Sequence, residues 1–264
     1  MRRFAPAEPT INFTVQDSHE QEVLITVIGS DVLEFEGNRQ GPPARGQRPL
    51  RDPIEVVVDA ARRGMFANPD TPPWTSTAEL RSKDVSAVQT RQTWRVGFKH
   101  VDLGVFRVVM NILRSRFLDR IDISTIAPEA GMGRSQIDLW NLRYPSIRQS
   151  TPFLLDYEMP DRTCRDRYLQ IGFAKPLSNG ITKAVFDALD NWTWLLMLGG
   201  YPGDNIHPTQ SSAAPEPAFL VDPNTIEQAF PDLFLCDDDC YAAVINYAQI
   251  VHRSVWPIEA LLIR

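Results

Sequence analysis

Apolar and polar residues alternate near the start of the chain, as they do in half-buried β-strands. The alternation covers Ile11–Val15 and Glu22–Val27 and continues in Val32–Phe35. Short turn-forming segments separate these stretches. We therefore predict an N-terminal β-meander followed by a helix, the two together occupying residues 10–66. The helix is expected to begin at Pro53 and to end at Gly64, although its three consecutive valines would equally suit a strand.

Two segments in the middle of the chain resemble each other over a whole strand and helix. Arg95–Lys99 followed by Gly104–Leu113 returns as Gln170–Lys175 followed by Gly180–Leu189, with one inserted alanine. Each copy is typical of a strand that leads through Gly-Phe and a lysine into an amphipathic helix. We interpret the pair as pseudo-repeats covering roughly residues 92–126 and 152–200.

A fainter third copy occupies residues 232–264, where Tyr241–Asn246 compares with Phe106–Asn111. The pattern also predicts hairpins, one of which joins Phe153–Glu158 to Arg167–Phe173. Trp192–Leu198 is predicted to form a buried strand. These patterns predict an α+β fold of internally duplicated β-α-β units of ferredoxin-like type. Such units form a mixed or antiparallel sheet with helices on one face. We expect one compact domain over residues 1–264.

Composition excludes several classes of protein. The chain has 264 residues, of which 43% are hydrophobic and 23% charged, with a formal net charge of −6, which argues against a protein that mainly coats nucleic-acid phosphates. Three cysteines provide no disulfide framework, which indicates a reducing compartment. No signal peptide and no run of about 20 apolar residues is visible. We expect a protein that is cytoplasmic or carried within an assembled particle, not secreted by a signal peptide and not in a membrane.

The strand-to-helix turn of the first repeat carries the best candidates for catalysis. Lys99, His100 and Asp102 combine two basic groups with a carboxylate beside a helix N-terminus, where a small anionic substrate could bind. The second copy has Lys175 at the same point but neither the histidine nor the aspartate. The simpler interpretation is that Asp102 caps its helix and that the lysines are solvated.

A second cluster has the residue types of a metal site. Cys236, Asp238 and Cys240 lie within five residues. Structural zinc requires four ligands, usually from two segments, and thiolates and carboxylates favour different metals. Negative charge at the start of a helix explains the aspartates equally well. We therefore expect no metal and no cofactor.

The loops offer candidates for binding a partner. A proline- and glycine-rich arm carries four arginines, and three aromatic residues lie in or beside other irregular segments. The arginines are Arg39, Arg45, Arg48 and Arg51, and the aromatic residues are Trp74, Trp140 and Tyr201. The arm could reach an acidic protein or a nucleic-acid backbone, or it could be an ordinary solvated connector. The aromatic residues could equally belong to a core.

Two tandem ferredoxin-like units in a chain of this size resemble, in topology alone, the RNA-processing proteins of CRISPR systems. The resemblance implies a basic RNA cleft and a glycine-rich loop near the C-terminus. This chain is acidic, and residues 256–264 contain no glycine. We therefore assign no family.

The repeat copies residues that pack and does not copy a catalytic set. We therefore expect a non-enzymatic interaction or assembly protein, such as a subunit of a phage or secretion particle or an immunity or adaptor protein, that binds a protein partner or itself. The first alternative is an enzyme acting on a small anionic substrate at the repeat turns. The second is a nucleic-acid-binding module that uses the arginine arm, which the net charge disfavours.

Overall fold

The structure is a computed structural model, and its described residues form ten strands and four helices. The residues that it describes are 10–12, 21–28, 51–66, 77–86, 91–99, 103–116, 120–125, 151–157, 166–201, 217–231 and 239–264. The predicted α+β class is confirmed in that these residues build two sheets with four helices. The chain divides into two units, Met1–Arg62 with Ser76–Leu142 and Arg63–Thr75 with Arg143–Arg264. That residues 1–264 form one compact domain stays a prediction.

The first unit contains one five-stranded sheet and two helices. Its elements are β1 (Thr10–Asn12), β2 (Gln21–Ile28), α1 (Pro53–Arg62), β3 (Thr77–Ser86), β4 (Arg91–Lys99), α2 (Leu103–Arg116) and β5 (Arg120–Thr125). The strand order is β1-β5-β2-β4-β3. β1 runs parallel to β5, and the other neighbouring pairs are antiparallel.

The second unit has the same element types in the same order. Its elements are β6 (Leu154–Tyr157), β7 (Asp166–Phe173), α3 (Asn179–Met197), β8 (Phe219–Asp222), β9 (Thr225–Pro231), α4 (Asp239–Ser254) and β10 (Ile258–Ile263). The strand order is β6-β10-β7-β9-β8. β6 runs parallel to β10, and the other neighbouring pairs are antiparallel. The two sheets therefore share one topology.

This shared topology aligns the two halves differently from the sequence repeat. The sequence repeat matches β4 and α2 with β7 and α3. By position in the sheet, β7 is instead equivalent to β2, and β4 to β9, while α2 is equivalent to α4. The fainter similarity between Phe106–Asn111 and Tyr241–Asn246 is thus the one that joins equivalent elements.

The predicted N-terminal meander is corrected by the pairing of the strands. β1 and β2 do not pair with each other, because β5 lies between them and hydrogen-bonds to both. Likewise, β6 does not form the expected hairpin with β7, because β10 lies between those two strands. Pairing with a strand about a hundred residues away leaves no local signal. The predicted strand Val32–Phe35 falls outside the described residues.

Local chemistry explains how the first helix forms. Asp52 precedes α1, and its carboxylate accepts hydrogen bonds from the backbone N–H groups of Ile54 and Glu55, which satisfies two donors of the first turn. The three consecutive valines lie in α1, and their side chains are buried. Gly64 follows with a φ of 80°, a left-handed conformation that favours glycine after a helix. The predicted helix is confirmed.

The third helix is longer than predicted. α3 continues to Met197, so the strand predicted over Trp192–Leu198 is wrong. A short apolar run fits a buried helix as well as a buried strand, because both hide every side chain. The helix begins after Ser178, and the Ser178 side chain makes no capping hydrogen bond.

One face of each sheet supplies the core. In the first unit Val23, Ile25 and Val27 alternate along β2 and are almost fully buried. In the second unit Leu169, Ile171 and Phe173 do the same along β7. We call the opposite face of each sheet its outer face.

Candidate functional site

The candidate catalytic residues are not brought together in the part of the chain that the structure describes. Lys99 is the last residue of β4, and its side chain, like His100 and Asp102, lies outside the described set. Lys175 belongs to the other unit and is exposed, and its backbone carbonyl accepts a hydrogen bond from the Trp256 indole at 3.2 Å. The described residues therefore define no catalytic geometry at these turns, and the catalytic role stays a prediction.

The described residues also define no metal site at the candidate ligands. Cys236 and Asp238 lie outside the described residues. Cys240 is fully buried at the start of α4, and its backbone carbonyl accepts a hydrogen bond from the Trp192 indole at 2.8 Å. Within the described ranges, no three His, Cys, Asp or Glu side chains are grouped as metal ligands would be.

Most of the candidate interaction residues lie outside the described residues. These are Arg39, Arg45, Arg48, Trp74 and Trp140. Arg51 is described and half-buried just before α1. Tyr201 is only 2% exposed, which favours the alternative that its ring belongs to a core. The ring follows the turn after α3 and belongs to the core of the second unit.

Among the described residues, most of the exposed large hydrophobic side chains lie on the second sheet. Six large hydrophobic side chains are exposed among the described residues, and five of them lie on strands of this sheet. The five are Leu154, Tyr168, Phe219, Leu220 and Val221. The sixth, Val255, follows α4. Scattered exposed hydrophobic residues are ordinary, whereas several on one sheet are typical of an interaction surface.

Strand register places three of these side chains on the same face. Residues that lie directly opposite one another on neighbouring strands point to the same side of a sheet. Leu154 lies opposite Ala260, which lies opposite Gly172. Tyr168 and Gly172 alternate with the buried residues of β7 and therefore belong to its outer face.

The edge strand β8 completes this surface. Phe219 pairs with Glu227, which pairs with Gln170 of β7, so the Phe219 ring also belongs to the outer face. We call Leu154, Tyr168 and Phe219, together with the smaller residues between them, the apolar face. An irregularity between Leu220 and Asp222 shifts the register, and all four residues of β8 are exposed.

The apolar face also carries acidic side chains. Asp156 of β6 lies on it, and its carboxylate pairs with the Arg264 guanidinium at 2.6 Å. Register places two further acidic residues there, Glu227 and Asp222. The two partly exposed members of the ion pair contribute little to stability. The charges of this pair cancel, whereas Glu227 and Asp222 add negative charge beside the exposed hydrophobic side chains.

The outer face of the first sheet is charged. Register places Arg91, Thr93 and Arg95 of β4 there, and both arginines are exposed. Arg95 pairs with Glu22 at 3.4 Å. Gly97 lies on the same face, and a Cβ atom at Gly97 would come within 2.6 Å of the Arg81 guanidinium. Glycine at this position therefore leaves room for Arg81 to cross the strand.

One buried polar cluster in the described residues, centred on Asp52, is structural. The Asp52 carboxylate caps α1 and also accepts a hydrogen bond from the Trp94 indole at 3.0 Å. The Lys83 ammonium lies 2.9 Å from the same carboxylate oxygen. Both oxygens of this buried carboxylate are thus bonded within the protein. Asp52 therefore holds α1 on the sheet.

No helix in the described parts of the chain is long and apolar enough to cross a membrane. Comparison with protein-family models, with curated proteins and with solved structures gives no match for this chain. The apolar face was missed from the sequence because it depends on which strands become neighbours. The only local signal was the apolar triplet Phe219–Val221, which stands between two prolines.

Proposed function

We propose that this is a non-enzymatic interaction or assembly protein that binds another protein through the apolar face of its second sheet. The observation that carries the proposal is the placement of Leu154, Tyr168 and Phe219 on one outer face, each at least 46% exposed. Aromatic and aliphatic side chains of this kind, displayed on a rigid sheet, are common anchors of protein interfaces.

We further propose that the chain contains two ferredoxin-like units derived from one ancestor. Without β1, the first unit reads β-α-β-β-α-β with strand order β5-β2-β4-β3, all antiparallel. This is the order of elements in ferredoxin-like folds. The second unit without β6 reads the same way. Two units with one topology and different outer faces support a division of roles in which the second unit binds the partner.

The alternatives have less support. An enzyme would need Lys99, His100, Asp102 and Lys175 around one substrate, and the described residues offer no such arrangement. A nucleic-acid module would use the arginine arm, most of which lies outside the described residues, and on the outer face of the first sheet Glu22 lies beside Arg95, so that face is mixed in charge. Neither alternative explains why the second sheet exposes apolar side chains.

A capture experiment with matched variants tests the proposed function. Wild-type protein, Tyr168→Glu and Val255→Glu would be immobilised and exposed to extract from the native host. Val255 is 54% exposed and Tyr168 is 47% exposed, so the two substitutions place the same charge at similarly accessible sites. We expect wild type and V255E to retain the same protein and Y168E to lose it. Equal retention by all three would contradict the proposal.

A further inference from the structure

Two exposed aromatic residues of the apolar face are neighbours of one carboxylate. Phe219 of β8 lies directly opposite Glu227 of β9. Glu227 lies opposite Gln170 of β7, which is two residues from Tyr168 on the same face. Directly opposite side chains have Cβ atoms about 5 Å apart, and diagonal neighbours are about 7 to 8 Å apart, within reach of an aromatic ring. Glu227 is therefore flanked by Phe219 and Tyr168.

The charge of this carboxylate is not compensated within the described residues. Glu227 is partly exposed and forms no ion pair in the parts of the chain that the structure describes, whereas Asp156 pairs with Arg264. Asp222 lies further along β8, and its carboxylate accepts a hydrogen bond from the Asn224 backbone N–H at 2.7 Å, which does not neutralise it. The β8–β9 side of the apolar face thus combines negative charge with exposed apolar surface.

We propose that the partner is a protein whose binding segment is basic and places an arginine side chain on Glu227, between Phe219 and Tyr168. This inference rests on the proposed function, because it names the chemistry of the partner that the apolar face binds. An arginine guanidinium forms two parallel hydrogen bonds with a carboxylate, stacks on aromatic rings and is more weakly hydrated than the lysine ammonium. Arginine is therefore the side chain that can contact all three groups at once.

Charge favours such a partner over other classes of macromolecule. The whole chain has a formal net charge of −6, and register adds the carboxylates of Glu227 and Asp222 to the apolar face. Nucleic acids and anionic membranes present negatively charged phosphate groups, which this face repels. A basic protein is attracted at long range, and charge complementarity then fixes how it docks.

The edge strand favours a partner that packs over the face and does not extend the sheet. β8 has four residues, Pro217 and Pro223 lie close to its two ends, and its pairing with β9 is irregular. Short strands, prolines and bulges are features by which edge strands resist pairing with another chain. We therefore expect the partner segment to cross the outer face, where it meets Phe219 and Tyr168.

Selection of random peptides displayed on phage tests the inference with probes of known sequence. Full-length wild-type protein would be the bait, after phage that bind Tyr168→Glu have been removed. We expect the enriched peptides to carry arginine next to aliphatic or aromatic residues. Enrichment of peptides without arginine, or no enrichment over the starting library, would overturn the inference.

A charge variant then tests the role of Glu227. Binding of one enriched peptide would be followed by fluorescence anisotropy at NaCl concentrations from about 50 to about 300 mM. Because the ion pair is lost, we expect Glu227→Gln to raise the dissociation constant about 10-fold at the lower concentration and to weaken its salt dependence, with unchanged circular dichroism. Glu79→Gln removes the same charge from an exposed position on β3 of the other unit and should match wild type. Equal affinity of E227Q and wild type would overturn the inference.

Replacement of the peptide arginine by lysine tests the contribution of the aromatic rings. We expect the lysine peptide to bind wild type about 5-fold more weakly, because lysine neither pairs in a bidentate manner nor stacks as a planar group. Phe219→Leu keeps an apolar side chain but removes one ring, and should reduce this difference. A lysine peptide that bound wild type as tightly as the arginine peptide would overturn the assignment of arginine.

The capture experiment with host extract separates failure of this inference from failure of the proposed function. Loss of the captured protein by Y168E, with E227Q retaining it as wild type does, would leave the proposed function standing and overturn the inference. Loss by both variants, with retention by E79Q, would support both proposals. Retention by Y168E equal to that of wild type would overturn both.

Discussion

Asp52 links the first helix to the first sheet through one buried carboxylate. Its two oxygens accept hydrogen bonds from the first turn of α1 and from the Trp94 indole, and the second oxygen also lies beside the Lys83 ammonium. A sequence pattern of Asp before Pro predicts the cap but not the indole. The tryptophan reaches Asp52 from β4, about forty residues further along the chain, so the contact has no local signal.

Replacing Asp52 tests this linkage. We expect Asp52→Ala to lower the free energy of unfolding of the first unit by about 2 to 4 kcal/mol. The lost cap accounts for about 1 kcal/mol, and the indole left without a partner adds about 1 to 3 kcal/mol. Urea titration followed by circular dichroism and by tryptophan fluorescence measures the change.

Asp52→Asn is the matched control for that experiment. The amide oxygen of asparagine can still accept the hydrogen bonds that cap α1, but the charge beside Lys83 is lost. We therefore expect D52N to unfold at a urea concentration between those of wild type and D52A. If D52A were as stable as wild type, the structural role assigned to Asp52 would be wrong.

At the scale of elements, local patterns predicted the helices better than the strands. α1 and the continuous apolar stripe of α2 follow from helical spacing and from the glycine and proline at the ends of α1. α4 was also predicted, although twelve consecutive buried residues, Cys240–Val251, give it no exposed stripe. These helices depend mainly on interactions within a few residues of sequence.

The missed strands have identifiable physical causes. β3 was not predicted because a bulge between Leu80 and Ser82 interrupts its alternation. β8 has a similar irregularity and is exposed on every residue. β9 contains Gln228, which is polar but buried, so its alternation is hidden. Polar residues in a core and shifts of register both remove the period of two by which strands are recognised.

Tyr247 connects the two helices of the second unit. Its hydroxyl lies 3.5 Å from the backbone carbonyl of Ala184, and so joins α4 to α3. Burial of the phenol raises its pKa well above the ordinary value of 10.0; the nearby Arg63 guanidinium lowers it somewhat, and Asp187 raises it. The folded protein therefore keeps the proton on Tyr247 at a pH where the unfolded chain has released it.

This difference makes the stability of the second unit fall at high pH. Below about pH 10 both states hold the proton, and stability is unaffected. As the pH rises past 10, the unfolded state gains by ionising and the folded state does not, which costs about 1.4 kcal/mol for each pH unit. We expect Tyr247→Phe to lose less stability than wild type between about pH 8 and about pH 11.

Urea titration at the two pH values measures this difference. The other tyrosines are common to both proteins, so their ionisation largely cancels in the comparison. The same loss of stability in wild type and in Y247F would mean that the Tyr247 phenol ionises in the folded protein as easily as in the unfolded chain.

At the scale of the whole molecule, the two sheets share a topology and differ in the chemistry of their outer faces. The sequence repeat suggested duplication but aligned β4 with β7, which hold different positions in their sheets. The two shared glycines also differ, because Gly97 lies under Arg81 whereas Gly172 has space above it. Pairing between strands that are distant in sequence decides which elements of the two units are equivalent and which residues lie on each outer face. Neither could therefore be derived from local sequence.

The type of site, a protein-binding surface, was predicted from the sequence, but its residues were not. Protein binding was expected from the lack of a duplicated catalytic set, but the residues chosen were loop arginines and aromatic residues. The exposed side chains of the apolar face lie on strands, and Tyr168 was hidden from prediction because the same strand also carries buried Leu169 and Ile171. An apolar run of this kind does not reveal which of its residues face outward.

Hydroxyl-radical footprinting of the assembled protein tests the central claim most directly. Oxidation of Phe219 would be compared between wild-type protein recovered with its partner and the Y168E variant, and oxidation of Tyr168 between wild-type protein with and without its partner, with Val255 as the reference for an exposed apolar site. We expect Phe219 to be protected in the assembled wild type and reactive in Y168E, and Tyr168 to be protected, while Val255 reacts equally in both. Equal reactivity of Phe219 in the two proteins would contradict the claim that this face is an interface.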